Sequence, residues 1–217
     1  MYTAVIVAAG LGKRMKTSQN KMFVLIKDKP LIYHTVHRFA DDGDCEDIIV
    51  VCKNEETEDM KNALKGMTCR LVTGGETRQD SVRNGLVEVS SERVMIHDGA
   101  RPNVDKKALG RLKEKLFENK AAALCVRPKD SLSLAKNGLI DTYVDRDAMR
   151  LMQTPQAFMT ADILMAHRWA KEENIRFTDD VSLYRAYTKK KVFVVEGNYD
   201  NIKVTDPSDL KYMEELL

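Results

Sequence analysis

The stretch AVIVAAGLGKRM (residues 4–15) is typical of a buried strand followed by a glycine-rich turn. Its apolar run lacks polar alternation, as expected for a strand of a parallel sheet that is covered on both faces. When a helix follows such a turn, backbone N–H groups point toward an anion. The stretch therefore predicts an α/β fold with a phosphate-binding turn after the first strand.

The rest of the chain repeats this alternation of short apolar runs and longer helical patterns. Further strands are predicted at residues 47–52, 70–73, 93–97, 121–126 and 191–196. Helices are predicted at 30–40, 56–66, 77–89, 107–119, 161–173, 179–187 and 205–217, with Thr160 and Thr178 as N-caps of the fifth and sixth. This order indicates a doubly wound, mostly parallel, Rossmann-like sheet. Without repeats or linker-like segments, residues 1–217 are predicted to form a single domain.

One segment interrupts the alternation. DSLSLAKNGLIDTYVDRD (residues 130–147) contains two strand-like runs around Asn137-Gly138, which is a strong signal for a β-hairpin. We therefore predict an inserted β-hairpin arm at about residues 130–146. The feature by itself leaves two roles open, covering an active site or gripping a second subunit.

Composition excludes several classes of protein. The 217 residues carry 35 basic and 33 acidic side chains, a net charge of +2, which does not favour general nucleic-acid binding. The longest apolar run is far shorter than a membrane span, and no targeting segment is visible. The cysteines are scattered without a CxxC pair, as is usual for reduced thiols. We expect a cytoplasmic protein that binds neither nucleic acid nor a membrane.

The first glycine-rich turn does not match two common phosphate-binding motifs. The dinucleotide motif needs a third glycine where this chain has Met15, and an acidic residue at the end of the second strand where it has Lys53. A P-loop needs Ser or Thr where this chain has Arg14. An NAD-dependent reductase would need the dinucleotide motif, so Met15 and Lys53 weaken that function as an alternative.

Since neither motif fits, the turn is simply a basic turn with two glycines. Gly10 and Gly12 would let the backbone approach a triphosphate, and Arg14 and Lys21 would neutralise oxygens that gain charge during phosphoryl transfer. The alternative is a solvated basic loop without a ligand.

Two other segments carry polar residues at predicted strand ends. In TGGETRQDSVRNGL (residues 73–86), Arg78 and Ser81 lie one helical turn apart on the same face. In VMIHDGARP (residues 94–102), Asp98 follows a buried strand, where a carboxylate beside a triphosphate would bind Mg²⁺. The alternative for the first segment is an ordinary strand–turn–helix with caps, and the alternative for Asp98 is a helix N-cap or a turn aspartate.

Lys203 is the notable residue of DNIKVTDP (residues 200–207), which we predict to include a late strand. A lysine that points inward from such a strand needs an anion, whereas one that points outward needs no explanation.

Six blocks of this sequence, in order, resemble the 2-C-methyl-D-erythritol 4-phosphate cytidylyltransferase family of non-mevalonate isoprenoid biosynthesis. They are AAGLGKRM with the following NK, GGETRQDSV, HDGARP, VDRDAMRLMQTPQAF, FTDDVS and EGNYDNIKVTDPSDL. The resemblance implies that CTP and methylerythritol phosphate give a CDP-alcohol and pyrophosphate with Mg²⁺ as cofactor. It also implies a homodimer held by the arms, which would bring Arg146 and Thr178 toward the partner's substrate phosphate.

The resemblance also implies roles for individual residues. The catalytic residues would be Arg14, Lys21, Arg146 and Lys203, with Asp98 as metal ligand. The nucleotide would be bound by Ala8, Ala9, Gly10, Gly12, Gly75, Arg78, Ser81, Asp98, Gly99 and Ala100. The second substrate would be bound by Arg101, Ser131, Arg146, Thr154, Thr178, Asp200 and Lys203.

Two departures from the family pattern leave these roles intact. Asn20 stands where many relatives carry proline, and Ser131 stands where relatives often have threonine. Two alternative functions stay open. A ribitol-5-phosphate cytidylyltransferase would use the same chemistry on another alcohol, although VDRDAM and HDGARP are more similar to the isoprenoid enzymes. A non-catalytic nucleotide sensor would not need Arg14, Lys21 and Asp98 together.

Overall fold

The computed structural model describes residues 1–10 and 20–217. The predictions for Gly12 and Arg14 lie outside these residues. The strands are β1 (Tyr2–Val7), β2 (Leu25–Ile26), β3 (Lys29–Pro30), β4 (Cys45–Cys52), β5 (Arg70–Thr73), β6 (Arg93–Asp98), β7 (Ala121–Val126), β8 (Leu132–Lys136), β9 (Leu139–Val144), β10 (Leu151–Met159) and β11 (Phe193–Glu196). The helices are α1 (Leu31–Ala40), α2 (Thr57–Ala63), α3 (Arg78–Val87), α4 (Lys106–Asn119), α5 (Thr160–Glu172), α6 (Asp180–Thr188) and α7 (Pro207–Leu216).

Seven strands form one sheet in the order β11-β7-β10-β6-β1-β4-β5. All neighbours pair in parallel except β10, which is antiparallel to both β6 and β7. The predicted mostly parallel sheet is confirmed, but the sequence interpretation missed β10. This strand contains Pro155, which normally argues against a central strand. The register shifts between Met152 and Gln156, so Pro155 lies where the regular ladder is interrupted.

Helices cover both faces of the sheet, which confirms the doubly wound arrangement. On one face, α1, α2, α4 and α7 contribute to an apolar core that includes Ile6 of β1. On the other face, α3, α5 and α6 pack on a second core that includes Val5 of the same strand. Because successive side chains of a strand point to opposite faces, the apolar run at β1 serves both cores.

Several helices begin at side-chain caps. Thr77 caps α3 by accepting from the Asp80 N–H, and Asp206 and Asp209 form a capping box at α7, as the TDPSD segment indicates. The predicted caps Thr178 and Thr160 are wrong. Asp179 caps α6, because its carboxylate reaches the Ser182 N–H, and Thr160 is already inside α5.

Strands β8 and β9 form the predicted hairpin arm as a separate two-stranded sheet. Asn137 and Gly138 both have positive φ, at 52° and 80°, which a tight hairpin turn requires. Large apolar side chains of the arm are exposed, with Leu139 at 73% and Tyr143 at 74%.

None of the helices in the described ranges combines the length and apolarity that crossing a bilayer requires.

Candidate active site

A cavity of about 250 Å³ lies at the carboxyl ends of β1 and β6, between the start of α3 and the segment that precedes α7. This edge is where doubly wound sheets place their ligands. Its wall consists of Val7, Ala9, Gly10, Lys21, Met22, Gly75, Glu76, Thr77, Arg78, Ser81, Asp98, Ala100 and Lys203.

The structure brings nine of the predicted site residues together at this wall. They are Ala9, Gly10, Lys21, Gly75, Arg78, Ser81, Asp98, Ala100 and Lys203. Other predicted residues are not on the wall within one chain: Ala8, Gly99, Arg101, Ser131, Arg146, Thr154, Thr178 and Asp200. The candidate residues Gly12 and Arg14 belong to the part that the structure does not describe.

The turn after β5 is fixed by hydrogen bonds and close packing. The Gly75 N–H donates to Ser81 Oγ at 3.1 Å, and the Ser81 hydroxyl donates to the Thr77 carbonyl at 2.9 Å. A Cβ at Gly74 would lie 2.7 Å from the Cβ of Ala9. Packing of the protein itself therefore requires glycine at this position, because Gly74 lies directly against the turn after β1.

Asp98, at the end of β6, is surrounded by three cations. Its Oδ1 accepts from Arg78 Nε at 3.0 Å, its Oδ2 accepts from Lys203 Nζ at 2.8 Å, and Arg101 Nε lies 3.8 Å from Oδ2. Burial by itself would raise the pKa of the carboxyl. The charges of Arg78, Lys203 and Arg101 outweigh burial and hold the pKa well below its usual range. Asp98 is therefore a carboxylate at neutral pH.

Lys203 reaches Asp98 from a segment without strand structure, so the predicted late strand is wrong. The segment is held instead by single contacts, such as the Val204 N–H donating to the Ala100 carbonyl at 2.8 Å. Of the two alternatives for Lys203, the structure has the inward orientation with an anionic partner.

Lys21 contacts the same segment. Its side chain is buried, and Nζ donates to the Val204 carbonyl at 2.6 Å. The short 3-10 turn Lys21–Phe23 is capped by Asn20, whose side chain accepts from the Met22 N–H at 3.1 Å. Asn20 thus supplies a side-chain cap to this turn.

Arg78 has a second carboxylate partner that the sequence interpretation missed. Its Nη1 donates to Oδ2 of Asp180 at 2.8 Å, and Asp180 Oδ1 accepts from His167 Nε2 at 3.1 Å. Burial by itself would raise the pKa of Asp180, but the charge of Arg78 and the bond from His167 hold it below its usual range. Asp180 and Arg78 are 102 positions apart, and only the FTDDVS block indicated that this segment matters.

Behind Asp98, Thr154 and His97 form a buried series of hydrogen-bonded contacts. The Asp98 N–H donates to Thr154 Oγ1 at 3.0 Å, and Thr154 Oγ1 lies 3.1 Å from His97 Nδ1. His97 Nε2 lies 2.9 Å from the Arg101 carbonyl. These partners fit a neutral imidazole with its proton on Nε2. Burial lowers the pKa of His97 to about 4, in agreement with that form. Thr154 therefore supports the Asp98–Arg101 turn from behind the wall.

The lowered pKa of His97 predicts a specific pH dependence of the free energy of unfolding. The unfolded chain takes up a proton on His97 near pH 6.5, whereas the folded chain does so only near pH 4. The free energy of unfolding should therefore fall by about 2–3 kcal/mol between pH 7.5 and 4.5 through this residue. Denaturant unfolding of His97→Gln should show a flatter pH profile than the unmodified protein. If the pH profiles of the two proteins run parallel, the lowered pKa of His97 in the folded chain is contradicted.

Two further predicted residues, Arg101 and Asp200, make contacts that involve the segment around Lys203 or the helix that follows it. Arg101 Nη1 donates to the Asn201 carbonyl at 2.6 Å, and Asp200 Oδ1 accepts from the Tyr212 hydroxyl at 3.0 Å. Burial lowers the pKa of Arg101, although Asp98 opposes this effect. Both contacts help to fix the segment that carries Lys203.

The wall suits a magnesium ion that arrives with a triphosphate. Two carboxylates, Asp98 and the exposed Glu76, face the cavity. Mg²⁺ is commonly held by one or two carboxylates together with phosphate oxygens. No group of three or more His, Cys, Asp or Glu side chains in residues 1–10 and 20–217 is arranged to hold a metal ion alone. The donor set therefore fits a metal ion only jointly with phosphates.

Comparison with known proteins agrees with this geometry. The profile of the family described as 2-C-methyl-D-erythritol 4-phosphate cytidylyltransferase matches residues 2–217. Curated proteins with that name from Bacillus velezensis and Bacillus mycoides are 39% and 42% identical to this chain. Each alignment covers 100% of this chain, with 95% and 98% of the relatives. The crystal structure of 4-diphosphocytidyl-2C-methyl-D-erythritol synthase from Anaerococcus prevotii superposes with a TM-score of 0.88 at 27% identity, covering 99% and 97% of the two chains.

Proposed function

The chain belongs to the 2-C-methyl-D-erythritol 4-phosphate cytidylyltransferase family, and from this premise we propose the reaction that it catalyses. It transfers the cytidylyl group of CTP to 2-C-methyl-D-erythritol 4-phosphate, a step of non-mevalonate isoprenoid biosynthesis. An oxygen of the substrate phosphate attacks the α-phosphorus of CTP. The bond from that phosphorus to the bridging oxygen of the β-phosphate breaks, and pyrophosphate leaves. The product is 4-CDP-2-C-methyl-D-erythritol.

The observation that best supports this reaction is the charge of the cavity. Lys21, Arg78 and Lys203 line one wall of a cavity at the carboxyl edge of the sheet. Such a wall suits a triphosphate and a second phosphate brought against it. A phosphate monoester is already a nucleophile, so positioning and charge stabilisation carry most of the rate.

We assign Lys21 and Arg14 to the charge that develops around the α-phosphate. Lys21 is buried at the wall and held by the Val204 carbonyl, so little reorganisation is needed during the reaction. Ala8, Ala9, Gly10, Gly12, Gly75, Arg78 and Ser81, together with Gly99 and Ala100, form the cytidine side. Among residues 1–10 and 20–217, no atom lies within 4 Å of a Cβ placed on Gly10, so these residues leave its backbone open to a ligand.

Asp98 would hold Mg²⁺ together with phosphate oxygens of CTP. When bound, Mg²⁺ neutralises phosphate charge and polarises the P–O bonds. In its absence, Arg78 and Lys203 balance the charge of Asp98. A cation held by Asp98 would compete with Lys203 for that carboxylate, and a displaced Lys203 would be available to a substrate phosphate.

The polyol phosphate side is completed by residues that are not on the cavity wall. We propose that Arg101, Thr154 and Asp200 act from the same chain. Ser131, Arg146 and Thr178 are all exposed in one chain. Arg146 and Thr178 would face the substrate phosphate bound to the partner subunit.

This arrangement needs a homodimer, which the arm supports. An isolated two-stranded hairpin is only marginally stable in water, and its apolar side chains favour burial against another surface. Leu139 and Tyr143 are among the most exposed large apolar residues of the described chain. We propose that the arms of two copies interlock.

The proposed reaction is tested by pyrophosphate release with CTP, Mg²⁺ and methylerythritol phosphate. We expect turnover with this substrate and at least about 10-fold less with ribitol 5-phosphate, because a site built for one polyol discriminates against another. UTP in place of CTP is the matched nucleotide control. Turnover with ribitol phosphate alone would overturn the substrate assignment, and nucleotide binding without any turnover would make the protein a sensor.

Residues 1–217 would then act as one nucleotidyltransferase domain with the arm as an insertion. We also propose a cytoplasmic location, which is supported by the free thiols of Cys45, Cys52, Cys69 and Cys125.

A further inference from the structure

Asp180 lies in the middle of a chain of polar contacts that runs from α5 to the cavity wall. His167 Nε2 lies 3.1 Å from one oxygen of Asp180, and Arg78 Nη1 donates to the other at 2.8 Å. Arg78 Nε then donates to Asp98 at 3.0 Å. The Asp180 side chain is only 2% exposed. One guanidinium is thus shared between a carboxylate on the wall and a second carboxylate buried behind it.

The sharing limits how strongly Arg78 binds Asp98. A guanidinium presents parallel donors that fit both oxygens of one carboxylate, and such two-bond pairs are the strong ones. Here Nε donates to Asp98 and Nη1 to Asp180, and these two contacts fix the guanidinium in an orientation in which Arg78 bonds only one oxygen of Asp98. The other oxygen is bound by Lys203, whose side chain is 39% exposed. Lys203 is therefore the more exposed of the two partners of Asp98, and it is the one that an entering cation would displace.

We propose that Asp180 is a positioning residue, which holds Arg78 to a single contact with Asp98 and keeps Asp98 open to a divalent cation. Without Asp180, Arg78 would turn onto both oxygens of Asp98 and compete with the cation. Asp180 itself lies behind the wall and touches neither substrate. The inference rests on the proposed function in one respect, namely that a divalent cation enters at Asp98 with the nucleotide.

The adjacent residue supplies a matched control. Asp179 accepts from the Ser182 N–H at 2.9 Å and from Gln156 Nε2 at 3.1 Å, so it caps α6. Asparagine is as good an N-cap as aspartate. Asp179→Asn therefore removes the same charge one position earlier without touching Arg78.

The test measures binding of Mn²⁺–CTP by water-proton relaxation, without polyol phosphate so that no turnover occurs. We expect Asp180→Asn to raise the enzyme concentration for half-saturation about 10-fold, since a charge-assisted contact is redirected. Asp179→Asn should change it by less than about twofold. An Asp180→Asn protein that binds Mn²⁺–CTP as well as Asp179→Asn overturns the proposal.

A second comparison separates positioning from the bare charge of Asp180. In an Arg78→Gln background, adding Asp180→Asn should change half-saturation by less than about twofold, because residues that act through one partner are not additive. A persistent 10-fold effect would mean that Asp180 attracts the cation directly, and the proposal fails. In Arg78→Gln, Asp180 keeps its bond from His167, and in the double variant Asp98 keeps Lys203. Each buried carboxylate in this comparison therefore retains a partner, and the comparison does not use Asp180→Asn alone.

Pyrophosphate release by the unmodified protein is measured on the same preparation. Absence of turnover there contradicts the proposed function, whereas an active protein whose Asp180→Asn variant binds Mn²⁺–CTP normally contradicts only this inference.

Discussion

Lys21→Met is expected to lower kcat for CTP and methylerythritol phosphate by at least about 100-fold, the usual cost of losing one preorganised donor to a transition state. The Lys21 side chain is 8% exposed, and its ammonium is held at the cavity wall by the Val204 carbonyl. Methionine keeps the apolar stem of the side chain in its buried position. The loss should therefore come from the missing charge rather than from a packing defect.

Affinity for CTP should change much less than kcat, because the crowded α-phosphate gains charge only during the reaction. Calorimetric titration of CTP and steady-state kinetics on the same variant measure the two quantities. Lys27→Met is the control, since Lys27 is exposed in the turn between β2 and β3 and is not on the cavity wall. If CTP affinity and kcat fall equally, Lys21 is a ground-state contact and the catalytic assignment is wrong.

A heterodimer of two inactive variants is expected to regain about half of normal activity, because each site would combine the cavity of one subunit with the arm of the other. Arg146→Ala should be nearly inactive if Arg146 binds the substrate phosphate of the partner. Paired with Lys21→Met, it leaves one site with both defects and one site with neither. Arg146 lies at the base of the arm, where Nη1 donates to the Lys129 carbonyl at 3.0 Å.

The heterodimer is purified through two different affinity tags, and its pyrophosphate release is compared with that of each homodimer. A heterodimer of Lys21→Met with the double variant Lys21→Met/Arg146→Ala is the control, and it should stay inactive because neither cavity has Lys21. Two results would contradict the shared site: full activity of Arg146→Ala alone, or no recovery in the heterodimer. Sedimentation of the unmodified chain as a monomer would also contradict it.

Local sequence signals predicted the parts of this fold that depend on neighbouring residues. Asn137-Gly138 located the arm, because few other pairs accept positive φ at both turn positions. The apolar run at β1 indicated a strand buried on both faces, which is what the structure has. Both signals act within a few residues, so no knowledge of the tertiary fold was needed.

Features that depend on distant contacts could not be predicted in the same way. β10 contains Gln153, Thr154 and Gln156, which resemble a polar loop until their partners are known. Gln153 donates to the Asn198 carbonyl, and Gln156 donates to Asp179. Asp180 was missed for the same reason, because its partner Arg78 lies in a different helix. Residue type alone does not separate a buried partner of this kind from a surface carboxylate.

The antiparallel strand β10 also fixes the order in which the sheet can be completed. β6 and β7 follow each other along the chain but are not neighbours in the sheet, because β10 lies between them. A nascent chain that has left the ribosome only as far as residue 150 therefore holds β1, β4, β5 and β6 on one side and β7 on the other, without the strand that joins them. Insertion of residues 151–159 closes the middle of the sheet and, in the same event, seats Thr154 behind Asp98. The cavity thus acquires its support only when the two halves of the sheet become one.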